Sequence, residues 1–289
     1  MLIGCHGLVW TGAFDAPGIE LAVRKTAAAG FDLIEFPLLD PYSFDVDAAR
    51  KSLQDNQIAC TASLGLSPET DVSSADPSVV AAGEALLGRC LEVLSDIGGT
   101  HLCGVIYSAM TKYQRGATQA ERQNSVEAIG RLAARGAELG VRVSLEVVNR
   151  YETNLLNTGR QALGFVDDVG HANVSVHLDT YHMNIEESDM LSPVLDCADR
   201  LGYVHIGESH RGYLGSGSVD FDTFFRALAR VGYDGPVVFE SFSSAVVNED
   251  LTRMLGIWRN LWSDSDDLGS HANAFIRGQL TAVASIGMH

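Results

Sequence analysis

Basic residues are scarce: 20 Lys and Arg stand against 37 Asp and Glu, a formal net charge of -17 over 289 residues. Such a chain repels polyanions unless folding gathers its few cations, and no basic cluster stands in the sequence. Nucleic acid and anionic membranes are therefore not expected as partners, which leaves small neutral or cationic molecules and other proteins. Cysteine is also sparse. The five, Cys5, Cys60, Cys90, Cys103 and Cys197, are odd in number, widely spaced and free of any CxxC pair, which argues against a disulfide framework or a zinc knuckle. Buried thiols in a reducing cytosol are the reading. No run reaches about 18 apolar residues, and the start, MLIGCHGLVW, has neither the basic segment nor the extended apolar segment of a secretion signal. A soluble, unexported, cytoplasmic protein is expected.

What is present is a repeated alternation. Hydrophobic residues make up 46% of the chain. Eight short apolar runs with β-like composition occupy 2–9, 32–36, 58–65, 100–106, 142–148, 174–179, 203–207 and 236–242. Between them lie segments with helical spacing, such as Val80, Leu87, Leu91, Leu94 and Phe221, Phe224, Phe225, Leu228. A last one is Leu251, Met254, Leu255, Trp258, Leu261. Gly30, Gly98 with Gly99, Gly140, Gly170, Gly202 and Gly232 each precede a strand, where glycine can end a helix in the left-handed conformation. Continuous apolar strands imply burial on both faces, and eight βα units fit a closed parallel barrel better than an open sheet. The expectation is one α/β domain over 1–289, a single (β/α)8 TIM barrel. The acidic stretch SDSDD (263–267) leads into a C-terminal helical extension at about 266–289, packed beneath the barrel or against a neighbouring subunit.

Four strand ends carry acid or imidazole: Glu146 in VSLEVV, Asp179 in VSVHLD, His205 in YVHIGES and Glu240 in PVVFESF. Barrel active sites gather at the C-terminal ends of the strands, so four consecutive strands, five to eight, aim these groups at one mouth. Any one of them alone reads equally well as a polar cap on a loop or helix. Charged groups in buried places are costly unless paired or metal-bound, and three carboxylates with one imidazole suit a divalent cation. Oxygen-rich ligation points to Mn²⁺, Mg²⁺ or Co²⁺, with Zn²⁺ also admissible.

The segments around these residues, SLEVVNRYETNLLNT (144–158), VHLDTYHMNIEE (176–187), YVHIGESHRGYLGSG (203–217) and VVFESF (237–242), resemble the ketose 3-epimerases of the xylose-isomerase-like barrel superfamily, the D-tagatose, D-psicose (D-allulose) and L-ribulose 3-epimerases. The resemblance spans essentially the whole chain. It implies one divalent ion per subunit, Mn²⁺ foremost, held by Glu146, Asp179, His205 and Glu240. It also implies substrate contacts from Glu152, His182 and Arg211, and a homodimer or homotetramer. The expected reaction is epimerisation of free ketoses at C3: one of Glu146 and Glu240 removes the proton beside the C2 carbonyl, and the other returns one on the opposite face through a metal-stabilised cis-enediolate. The competing readings are an aldose–ketose isomerase of the hydroxypyruvate or xylose type, an endonuclease IV-like DNA repair enzyme, which the acidic charge disfavours, and a catalytically silent barrel.

Around the sugar, His6, Trp10, Phe14, Tyr107 and Phe242 lie at or past strand ends and are candidates for an apolar wall, with Tyr107 and Phe242 favoured and core packing as the competing role. Cys60 reads as packing, and Glu35 as a hydrogen-bonding neighbour of the site rather than a ligand. Some family members carry an additional tryptophan after the fourth strand; here the run is VIYSAMTKY (105–113). GSGSVD (215–220) begins like a phosphate-cradling loop but places Asp220 at the third glycine, so it reads as a substrate loop leading into a helix cap.

Overall fold

Eight parallel strands close on themselves in sequence order: β1 (Ile3–His6), β2 (Leu33–Pro37), β3 (Ala59–Ser63), β4 (His101–Gly104), β5 (Arg142–Glu146), β6 (Val174–Asp179), β7 (Leu201–Ile206) and β8 (Val237–Phe239). The computed structural model describes residues 1–286. The helices are α1 (Ala16–Ala28), α2 (Val46–Asn56), α3 (Pro77–Ile97), α4 (Gln119–Leu139), α5 (Gly159–Val169), α6 (Thr180–Glu186), α7 (Ser192–Asp196), α8 (Phe221–Arg230), α9 (Glu249–Met254) and α10 (Ser265–Ile286). Among the described residues no helix is long and apolar enough to cross a membrane.

The strands are uniformly apolar on their outer face and mixed on their inner one. Side chains alternate across a strand, and Ile34, Phe36, Val143, Leu145, Val176, Leu178, Val204, Ile206, Val237 and Phe239 join the large core beneath the helices. A separate small cluster, Leu33, Cys103, Tyr203 and Val238, comes from β2, β4, β7 and β8 and fills the barrel interior. Thr61 of β3 reaches Tyr203 of β7 at 2.6 Å. The same parity points Glu35, Glu146, Asp179 and His205 inward. Continuous hydrophobicity therefore describes the outer face, while the inner face is substantially polar.

Helix starts follow local rules. Asp15, Asp45, Asp76 and Asp220 accept N-terminal amides, and Thr118 with Glu121 and Thr158 with Gln161 form reciprocal capping boxes. Gly98, Gly140 and Gly170 end α3, α4 and α5 in the left-handed region.

Two expectations fail. Gly202 ends no helix: it lies within β7, where the register with β6 skips it, and a Cβ there would sit 2.2 Å from Ser175 Oγ. It is needed for close strand approach. The helix expected over 251–261 stops after α9, because Gly256 turns left-handed (φ 66) and Trp258 is 75% exposed rather than packed. The covering role passes to α10, which packs on α8 and is tied to the first unit by Asn273 to the Ala29 carbonyl, Arg277 to Asp32 and Lys25 to Asp266. Residues 287–289 of the expected extension lie outside the described residues.

Gly202→Ala is expected to lower stability by about 1–3 kcal/mol through overpacking. Gly130→Ala, in mid-α4 with nothing near a built Cβ, should raise it by about 0.5–1 kcal/mol. Thermal or urea denaturation followed by circular dichroism measures both; equal effects would contradict the packing assignment at Gly202.

Candidate metal and active site

Glu146 closes β5, Asp179 closes β6, His205 stands one residue before the end of β7, and Glu240 follows β8 directly with its amide bonded to the Ile206 carbonyl. Asp179 and His205 are paired in register. All four side chains are buried, and one donor atom from each lies within 4.8 Å of every other. His205 Nδ1 is the hub, 3.3 Å from Glu146 Oε1, 3.6 Å from Glu240 Oε1 and 3.9 Å from Asp179 Oδ2. It is a buried nitrogen without a hydrogen-bond partner, whereas Nε2 lies 2.9 Å from Glu35. An imidazole lone pair turned toward three carboxylates is repelled unless a cation or a proton stands between them. The donor set thus fits a divalent ion, with one nitrogen, three carboxylates and no thiolate.

The electrostatics agree. Burial pushes Glu240 up to about 7 against the pull of Arg211 and His205, with repulsion from Asp179 and Glu35 added. Burial also raises Glu146, opposed by His205 and reinforced by Glu240. For Asp179, Arg211, His182 and His205 overcome burial and hold the carboxyl well below the usual carboxylate range. The carboxylates around His205, Glu35 and Glu240 first among them, overcome burial and raise the imidazole well above its ordinary value. The cluster gathers positive charge from whatever is at hand.

Arg211 is one source. Its Nη1 lies 2.6 Å from Glu240 and 3.1 Å from Asp179, and its guanidinium stacks 3.9 Å over the Tyr181 ring. The residue adopts a positive φ of 60, a backbone cost accepted where the loop after β7 bends back over the mouth. His182 is held from behind: the Asn149 backbone amide donates to Nδ1 at 3.1 Å, and the Asn149 side-chain amide lies 2.9 Å away. With Nδ1 accepting, the proton of a neutral ring sits on Nε2, which faces Glu146 and Asp179 at 3.9 and 3.8 Å and lies 3.4 Å from Arg211 Nη2. Asn149 also donates to Glu152 at 2.7 Å.

Two adjoining clefts open at this mouth. His6, Phe242, Leu8, Met110, Glu146 and Glu240 line one; Glu152, Arg211, Tyr181, Phe242 and the 255–259 turn line the other. His6 and Phe242 stand on the walls of this mouth, and Phe242 borders both clefts. Tyr107 does not. It is fully buried, packs on Phe165 and donates its hydroxyl to the Glu146 carbonyl at 2.8 Å, so it braces β5 from the core. Trp10 packs on Gly269 of α10, and Phe14 on Gly7 and Phe36, behind the wall. Cys60 is packing, as expected.

Several residues escaped the sequence reading. Asn149 and Tyr181, which set His182 and Arg211, sit in VVNRYE and DTYH as ordinary loop polar and aromatic residues. Glu208 is fully buried and accepts the amides of Ser209, Gly215 and Val219, folding the GSGSVD loop over itself; its place right after β7 was the available signal. Met110 takes a position on the cleft wall in the run that lacks tryptophan.

The sequence matches the family described as xylose isomerase-like TIM barrel over residues 23–260. It is 66% identical over 289 residues, all of both chains, to a ketose 3-epimerase of Arthrobacter globiformis. It is 53% identical over 274 residues, 95% of this chain and 96% of the other, to an L-ribulose 3-epimerase of Methylomonas sp.. A crystal structure of a D-allulose 3-epimerase from Methylomonas sp. in complex with D-allulose superposes with a TM-score of 0.95 at 52% identity, covering 96% of this chain and 97% of that one. The chain belongs to the xylose isomerase-like TIM barrels and, among them, to the ketose 3-epimerases.

Proposed function

We propose that this protein epimerises free ketoses at C3, with Glu146, Asp179, His205 and Glu240 holding one divalent ion, Mn²⁺ ahead of Mg²⁺ or Co²⁺. The observation that carries it is the convergence of three buried carboxylates, from Glu146, Asp179 and Glu240, on the partnerless Nδ1 of His205. D-Fructose with D-allulose, D-tagatose and L-ribulose are the substrate candidates. A divalent ion at this place supplies Lewis-acid polarisation of the ketose carbonyl, which lowers the cost of the enediolate.

The side chains do the rest. Glu146 and Glu240 reach the mouth from β5 and from the end of β8, so they address a sugar between them from different sides; one takes the C3 proton and the other delivers one to the opposite face. His182 offers its Nε2 proton to a sugar oxygen, Arg211 offers its guanidinium, and Glu152, steered by Asn149, accepts from a hydroxyl. His6 and Phe242 wall the cleft and exclude water. A cytoplasmic setting accords with five buried, unpaired cysteines. The exposed Leu39, Tyr42, Tyr151, Met254 and Trp258 are large apolar groups of the kind a homodimer or homotetramer covers.

Three outcomes are expected. In D₂O, the Mn²⁺-restored protein should convert a ketose to its C3 epimer with deuterium at C3, read by NMR; an aldose product labelled at C2 would contradict the assignment. Glu146→Gln and Glu240→Gln should each lower kcat by at least about 10²–10⁴-fold, and near wild-type turnover in either would remove the two-base scheme. Metal loading should also depend on pH. Below about 7 Glu240 keeps a proton that the ion must displace, so Mn²⁺ affinity should weaken by about tenfold per pH unit for each proton displaced. Mn²⁺ titrations between pH 5.5 and 8 measure this, and a flat profile would contradict it.

A further inference from the structure

Beneath the four donors the barrel interior carries a second polar tier. Glu35 of β2 is fully buried. Its Oε2 lies 2.9 Å from His205 Nε2 and accepts the Tyr203 hydroxyl at 2.6 Å. The Tyr203 oxygen is in turn 2.6 Å from Thr61 Oγ1. A tyrosine hydroxyl has one proton to give, and here it goes to Glu35, so Thr61 donates to Tyr203. On the other side His6 Nε2 approaches Glu35 Oε1 at 3.5 Å. The direction of the whole relay is thereby fixed from Thr61 through Tyr203 to Glu35, and Glu35 can only accept from His205.

This direction decides the chemistry of His205. With the Nε2 proton committed to Glu35, the proton that an incoming ion displaces is the one on Nδ1, so the neutral imidazole presents its lone pair to Glu146, Asp179 and Glu240. The opposite tautomer would place an N–H inside the donor set and leave no ligand there. A carboxylate on the far nitrogen also makes the imidazole a stronger donor. We propose that Glu35 is a positioning residue that fixes His205 as an Nδ1 ligand and tightens the ion's hold, with Tyr203 and Thr61 keeping Glu35 in place. A purely structural tier would not need the charge, since glutamine fills the same volume and offers an acceptor oxygen, and a buried carboxylate far from solvent is costly. The inference rests on the metal reading of the four donors.

The test is a Mn²⁺ titration of metal-stripped wild type, Glu35→Gln and Tyr203→Phe, with free Mn²⁺ followed by electron paramagnetic resonance. Circular dichroism and the melting temperature of each metal-free chain are recorded alongside. The wild type should take up one ion per chain. Glu35→Gln should bind about 10–100-fold more weakly while its metal-free spectrum stays that of the wild type, and Tyr203→Phe should shift affinity the same way to a smaller extent. Glu35→Gln binding as tightly as wild type overturns the inference, as does an affinity loss that only tracks a loss of folded protein. Should Glu35→Gln not fold, an unchanged affinity in Tyr203→Phe overturns it. A wild-type chain that takes up no Mn²⁺ overturns the metal reading and this inference with it.

Discussion

Like charge held together inside the barrel mouth is the constraint on which the site depends. Three carboxylates with donor atoms within 4.8 Å repel one another by about 3–4 kcal/mol per pair at an effective dielectric near 20. Three such pairs amount to a large part of the roughly 5–15 kcal/mol that stabilises an ordinary domain. The fold tolerates this only with positive charge in the middle. Arg211 supplies some of it from the loop after β7, and a raised His205 and a raised Glu240 supply protons when nothing better is present. A divalent ion at this place would replace both protons at once, and the proposed reaction rests on that exchange.

The barrel makes the arrangement possible by separating its two faces. The outward residues of the strands carry the apolar core under the helices, which leaves the inward positions free for chemistry. Those positions form tiers: Leu33, Cys103, Tyr203 and Val238 packed deep in the interior, then Glu35 with its hydrogen bonds, then the four donors at the rim. Bracing from outside completes the design. Tyr107 holds the Glu146 carbonyl from the core, and Asn149 fixes the His182 ring from the loop after β5.

Much of this was readable in the residues. Eight apolar runs place eight strands, and acids or imidazole at the ends of β5 to β8 place the rim, because chain order and parallel closure leave those ends nowhere else to go. The inner polar tier was only partly legible: Glu35 could be read as a neighbour of the site, but its bonds with His205 and Tyr203 join β2 to β7, 170 positions apart for the histidine. Tyr107, favoured for the cleft wall, lies in the core for a related reason. Position past a strand end does not say whether an aromatic turns toward the cleft or toward the helices. Gly202 had the sequence context of a helix terminator, yet its role depends on Ser175 of the adjacent strand.

The most direct measurement is anomalous diffraction at the manganese edge from crystals grown with Mn²⁺. The account predicts one strong peak per chain, about 2.0–2.4 Å from His205 Nδ1 and from carboxylate oxygens of Glu146, Asp179 and Glu240. A peak elsewhere, or none at this rim with the ion in excess, would contradict it.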